Sequence, residues 1–207
     1  MKKILFAMIL ACAALSVQAQ EFPVMFKGAQ PNIRDFITAL TAPVYGEDGE
    51  MDESMNYLRH AWRQFCNNKP QDKGVTFSLD EKNGYACYEY REVEEGVEMI
   101  IKAEMCYWNE ADKKHKLFAF CRMCYEGGRY SPGQYDGLTF YRYDNAKKTM
   151  RIVSDPGVDA ALNATAPSVM CSFELPRTGN DITMTRWLEN GQKRTVTLKW
   201  NGRGFSK

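Results

Sequence analysis

Histidine is almost missing from this chain of 207 residues: His60 and His115 are the only two. A Ser–His–Asp triad or a histidine metal site needs a base held within hydrogen-bond reach of its partner. Neither histidine has a sequence neighbour that suggests such a unit, and both are expected on the solvated surface. The glycine- and nucleophile-bearing motifs of phosphate cradles, dinucleotide sites, hydrolase elbows and zinc proteases are missing too. No sign of charge prevails, with 27 basic and 26 acidic residues interspersed. That balance excludes the basic stripe of a nucleic-acid binder and a polybasic membrane anchor. After residue 19 no apolar run approaches the roughly 20 residues of a spanning helix. No cofactor, metal, nucleic-acid partner or transmembrane segment is therefore expected, and no catalytic residue is assigned.

What the chain does have is an export signal. Lys2 and Lys3 form a positive start, an apolar stretch runs from Ile4 to Val17, and Val17 and Ala19 are the small residues that precede a cleavage point. Residues 1–19 read as a signal peptide and 20–207 as a single domain, in the periplasm or outside the cell. Cys12 after Ile9-Leu10-Ala11 offers a lipid-anchored alternative, but the apolar run continues past it where a polar linker would be needed. Without Lys2 and Lys3 the formal charge of +1 falls by two to −1.

Beyond the signal lie Cys66, Cys87, Cys106, Cys121, Cys124 and Cys171. An even count in an exported chain suggests disulfides. Most of these cysteines fall among apolar strand residues, where free cysteine is a common small hydrophobe, so one or two bridges at most are expected. Cys121 and Cys124 form a CxxC, but within a strand. Residues three apart on a strand point to opposite faces, which suits neither a redox pair nor a metal clip.

Two helices come first. Asn32 with Asp35 makes a capping box, and Ile33, Phe36, Ile37 and Leu40 form one apolar stripe before Pro43. A second helix is predicted from about Asp52, with Met51, Met55, Leu58, Trp62 and Phe65 as its stripe and Asn67 to Pro70 as its stop. From Gly74 the period changes to two. Strands are predicted over 75–80, 85–93, 97–108, 116–125, 138–143, 149–153, 169–175, 182–189 and 194–200. The stretch 116–125 is apolar on both faces and belongs in the centre of a sheet. Residues 126–136 and 154–168 read as long loops. The pattern predicts an α+β fold, with two N-terminal helices packed on a curved, largely antiparallel meander of about nine strands. A lipocalin-like closed barrel is the alternative.

Two groups of residues are candidates for function. Arg129, Tyr130, Tyr135 and Asp136 lie in a Gly-rich loop, and rigid tyrosines among Gly, Arg and Asp suit recognition of a protein or glycan. Glu89 and Arg91 form the second group. Pairing Val93 with Val97 would put them on the face of Met99, Ile101 and Met105, as the anchor of a cavity between helices and sheet. A register one residue away exchanges the faces and puts Tyr88 and Tyr90 inside instead.

Six segments carry a resemblance: DEKNGYACYE, AEMCYWNE, KLFAFCRMC, YDGLTFYRYDNAKKTM, LPRTGNDITMTRW and LKWNGRGF. Most of the chain after Asp80 resembles small exported proteins of Gram-negative gut anaerobes. The resemblance implies a compartment and no activity, so no catalytic residue carries over. The function expected is a non-catalytic binding or interaction module. A small-molecule carrier or hydrolase is the alternative.

Overall fold

The computed structural model describes residues 21–43, 55–134, 136–165 and 169–207. The export signal, Cys12, the predicted start of the second helix at Asp52 and the candidate Tyr135 lie outside the described residues.

Helix α1 (Ile33–Leu40) begins as its sequence predicts. The Asn32 side chain accepts from Arg34 N at 2.8 Å, and Asp35 accepts from Asn32 N at 2.8 Å. Helix α2 (Asn56–Cys66) follows. The two are tied by Arg59, whose Nε donates to Thr41 O at 2.8 Å. Strand β1 (Glu21–Pro23) precedes them, and β2 (Val75–Asp80), β3 (Tyr85–Glu94), β4 (Val97–Asn109), β5 (His115–Glu126), β6 (Arg129–Tyr130), β7 (Gly137–Asp144) and β8 (Thr149–Val153) follow. These strands form one antiparallel sheet in the order β1-β8-β7-β5-β4-β3-β2, with β6 paired to the end of β5. The order runs from edge to edge without closing, so the sheet is open and the lipocalin-like barrel is not formed. Strand β5, apolar on both faces, is central.

Helix α3 (Pro156–Asn163) then leads to a second antiparallel sheet made of β9 (Met170–Glu174), β10 (Ile182–Trp187), β11 (Lys193–Trp200) and β12 (Phe205–Ser206). The architecture is therefore helices with mostly antiparallel sheet, as expected, but the single meander of about nine strands is corrected to two sheets. The loop predicted over 154–168 is corrected as well, because it contains α3. Its start carries a signal that periodicity did not: Asp155 caps Gly157 N and Val158 N at 2.9 and 3.0 Å, and Pro156 occupies the first turn.

Both faces of the large sheet are covered. On one, Ile33, Phe36, Ile37 and Leu58 from the helices pack on Ala103, Met105, Phe118 and Tyr143, all eight with no exposed surface. On the other, Cys106, Leu117, Ala119, Cys121 and Phe140 pack with Phe173, Met184, Leu198, Phe205 and α3. The small sheet meets the large one along the free edge of β9. Leu175 N donates to Glu104 Oε2 at 2.9 Å, and the Cys121 thiol lies 3.6 Å from Phe173 O. An edge that would otherwise invite strand addition is thus taken by side chains.

All six described cysteines are free, which corrects the expected bridges. Cys87 and Cys121 share a face, but β4 lies between them, so their Cα atoms are separated by about two strand spacings of roughly 4.8 Å, beyond disulfide reach. Cys106 opposes Ala119 rather than Cys121. Burial pushes the Cys87 thiol up to about 11 and the Cys106 and Cys121 thiols well above their usual range. In a thiol titration, the folded chain is expected to label first at Cys66, which is exposed, while Cys106 and Cys121 react only after unfolding. Protection of Cys66 in the native chain, or fewer than six thiols from Cys66 onward in unreduced denaturant, would contradict this arrangement.

Candidate functional site

The register of the β3–β4 hairpin decides what Glu89 and Arg91 do. Glu94 pairs with Val97 and Val93 with Glu98, one residue from the pairing that would have turned Glu89 inward. The cause is a two-residue turn in which Glu95 (φ 50°) and Gly96 (φ 82°) are both left-handed, the geometry that matches hairpin twist. A non-glycine residue in that position is uncommon, so the sequence did not announce the turn. Tyr88 therefore joins Ala103 and Met105 under the helices, and Glu89 and Arg91 go to the opposite face. The expected cavity between helices and sheet, anchored by this pair, is corrected accordingly.

On that opposite face the pair lines a cleft. One wall is the large sheet, with Glu89, Arg91, Ile100, Lys102 and Tyr125. The other is one face of the small sheet, with Ser172, Glu174, Thr185, Trp187, Lys193 and Thr195. The cleft holds about 380 Å³ and is open to solvent. It exists because the small sheet meets the large one by an edge: alternate residues of β9–β11 point to opposite sides. Phe173, Met184 and Leu198 fill one side with core, and the polar set is left facing the corner.

The corner is fastened by a buried polar network. Glu104, 4% exposed, accepts from Tyr85 Oη at 2.6 Å, from Lys102 Nζ at 2.7 Å and from Leu175 N at 2.9 Å. Burial works against the charge on Lys102, but the Glu104 carboxylate beside it prevails and holds the ammonium above the ordinary lysine value. Burial first, and then the same carboxylate, push the Tyr85 phenol far up, so it stays a protonated donor. At the mouth, Arg91 bonds Glu89 at 2.5 Å and Glu98 at 2.9 Å. Trp187 Nε1 donates to Ser172 Oγ at 2.8 Å, and Lys193 Nζ sits 4.1 Å from the Trp187 ring centre.

The Gly-rich loop is placed differently from its expectation. Tyr130 is 6% exposed and packs with Tyr125 and Trp187 behind the cleft wall, so its ring is not presented to a partner. Asp136 has a fully buried side chain that accepts from Arg122 Nη1 and Cys124 N, both at 2.6 Å, and holds the loop against β5. Arg129 alone of the three described residues is exposed.

The histidines also have partners that the sequence reading missed. His60 Nε2 lies 3.2 Å from Asp72, and His115 Nδ1 lies 2.6 Å from Asp112. Single ligand atoms of Glu110, Asp112 and His115 fall within 4.8 Å of one another. These carboxylates already serve the protein: Glu110 holds Arg142 at 2.7 Å, and Asp112 also caps Lys114 N and His115 N. The group is a turn scaffold. The hydrogen bond from His115 and those turn amides pull the Asp112 carboxyl down to about 2. A carboxyl lowered on folding contributes stability that is complete above its unfolded value near 4 and is lost as pH falls through the folded value. The gap in Tm between the natural chain and Asp112→Asn is therefore expected to shrink from pH 5 to pH 2. A gap that stays constant over that window would contradict the contact.

No known protein family, curated protein or solved structure matches this chain. Among the described residues no helix is long and apolar enough to cross a membrane.

Proposed function

We propose that this chain is a non-catalytic binding module whose ligand site is the corner cleft between the two sheets. In this reading it is exported from a bacterial cell and works in the periplasm or outside it. One observation carries the proposal: a braced concave site where the Thr185 and Thr195 hydroxyls and the Glu174 carboxylate face the Arg91–Glu89 and Lys102–Glu104 pairs across the corner. Few convergent polar groups on a rigid frame are what a specific small-ligand site requires. The residues lining the cleft include no histidine and no cysteine, and they supply no nucleophile–base unit. The alternative of a carrier or hydrolase with its cavity under the helices gains no support from that interface, which Ile33, Phe36, Ile37 and Leu58 fill.

The test uses the low-mass soluble fraction from the envelope of the producing cells. Ligand at about 100 times its Kd stabilises by about 2.7 kcal/mol, which raises the Tm of a chain this long by roughly 5–10 °C. The paired variant Glu174→Lys with Lys193→Glu alters two exposed side chains and should unfold near the natural temperature, but show no such rise. An equal rise in both chains, or none in either, would refute the assignment.

A further inference from the structure

We infer that the cleft takes a carbohydrate, a short oligosaccharide with one ring seated on Trp187 in the place Lys193 occupies in the free protein. The inference rests on the cleft being the ligand site. It begins from strand register. Ser172, Thr185 and Thr195 are directly opposed across β9, β10 and β11; Ser172 is buried and holds Trp187 Nε1, which leaves the Thr185 and Thr195 hydroxyls side by side on the cleft face of the small sheet. The row on one side of these residues carries Glu174 opposite Thr183, and the row on the other carries Trp187 opposite Lys193. Hydroxyls that both donate and accept are thus flanked by an exposed carboxylate acceptor and by the Trp187 indole, which is 8% exposed with the Lys193 ammonium over its face. Sugar hydroxyls are themselves paired donors and acceptors, and the C–H face of a sugar ring is apolar. That ligand matches all three rows at once.

Other ligand classes fit less well. An acyl chain or apolar cofactor would bury the Arg91–Glu89 and Lys102–Glu104 charges against hydrocarbon, which is costly. A nucleic acid would bring phosphates beside Glu89 and Glu174. A peptide adding as a strand needs a free edge at the corner, and Glu104 and Cys121 already occupy the β9 edge there. The volume of about 380 Å³ lies at the small end of ligand sites, which favours a short sugar over a long polymer. Lys193 is exposed, so it can leave the Trp187 ring without unfolding anything.

The experiment presents the full mature chain to a printed array of neutral, acidic and amino-sugar oligosaccharides. The best binder is then titrated calorimetrically against Glu174→Gln, Thr185→Val and Lys193→Ala. At least one glycan should bind. Glu174→Gln and Thr185→Val should each weaken it by about tenfold or more, since each removes a hydrogen-bonding group. Lys193→Ala should bind as well or severalfold tighter, because nothing has to be displaced. A tenfold loss in Lys193→Ala would overturn the seat on Trp187. A blank array, with the low-mass envelope fraction still raising the Tm of the natural chain but not of the paired cleft variant, would overturn the carbohydrate while leaving the cleft as the site. Glycan binding unaffected by both Glu174→Gln and Thr185→Val, or a blank array without any Tm rise, would overturn both.

Discussion

Replacing Glu104 by Ala is expected to lower the free energy of unfolding by about 3–5 kcal/mol, measured by urea denaturation. Glu104 is almost fully buried and accepts from three donors: Tyr85 on β3, Lys102 on β4 and the Leu175 amide just past β9. Truncation leaves a half-buried ammonium without its counter-charge, and a phenol and an amide without an acceptor. The Leu175 bond is also one of the links between the sheets, so the small sheet should loosen first. Amide exchange along β9 should accelerate more than along β5. Glu104→Gln is a milder change, because its carbonyl can still accept one donor. It should cost less than Glu104→Ala, and Lys102→Met in the Gln background should recover part of the loss. A cost for Glu104→Ala below about 1 kcal/mol, the scale of one ordinary hydrogen bond, would mean that the network does not fasten the corner.

Gly157→Ala is expected to cost about 3 kcal/mol, toward or beyond the upper end of overpacking changes. The sign is informative, since Ala at an unobstructed helix position would gain up to about 1 kcal/mol over Gly. Here a Cβ would lie 1.6 Å from Phe205 O and 2.5 Å from Phe205 C. Both are backbone atoms, so relief requires moving β12 away from α3. That movement would break the bond from Phe205 N to Asp155 Oδ2 at 3.1 Å and expose the Phe205 ring, now 4% exposed beside Trp108 and Trp200. Near-ultraviolet circular dichroism should report the disturbed tryptophans together with the lower stability. A variant as stable as the natural chain would show that β12 does not pack on α3 as described.

What could be read in the sequence depended on how local the cause was. Helix α1 was legible because its cap, its stripe and its stop lie within a dozen residues of one another. Most strands of the large sheet were legible from alternation, but their faces were not. The side on which Glu89 falls depends on one left-handed Glu95, a backbone state with no sequence signature at a non-glycine residue. Strands β1 and β12 have three and two residues, too few for a period. The cleft was hidden for a further reason. Thr185, Thr195 and Glu174 read as the wet side of ordinary strands, and only the edge-on meeting of two sheets turns that wet side into a wall. Conversely, Tyr130 and Asp136 looked like loop surface because nothing local announced that Arg122 and Cys124 N would draw the loop back onto β5.

The most direct test of the corner as the ligand site is amide chemical-shift mapping of the labelled chain during titration with the low-mass envelope fraction. The largest changes are expected at Ser172, Glu174, Thr185 and Thr195 and at Gly128 on the rim, with the amides of Ile33–Leu40 unmoved. Changes centred on α1 and α2 with a silent corner, or no changes anywhere, would contradict it.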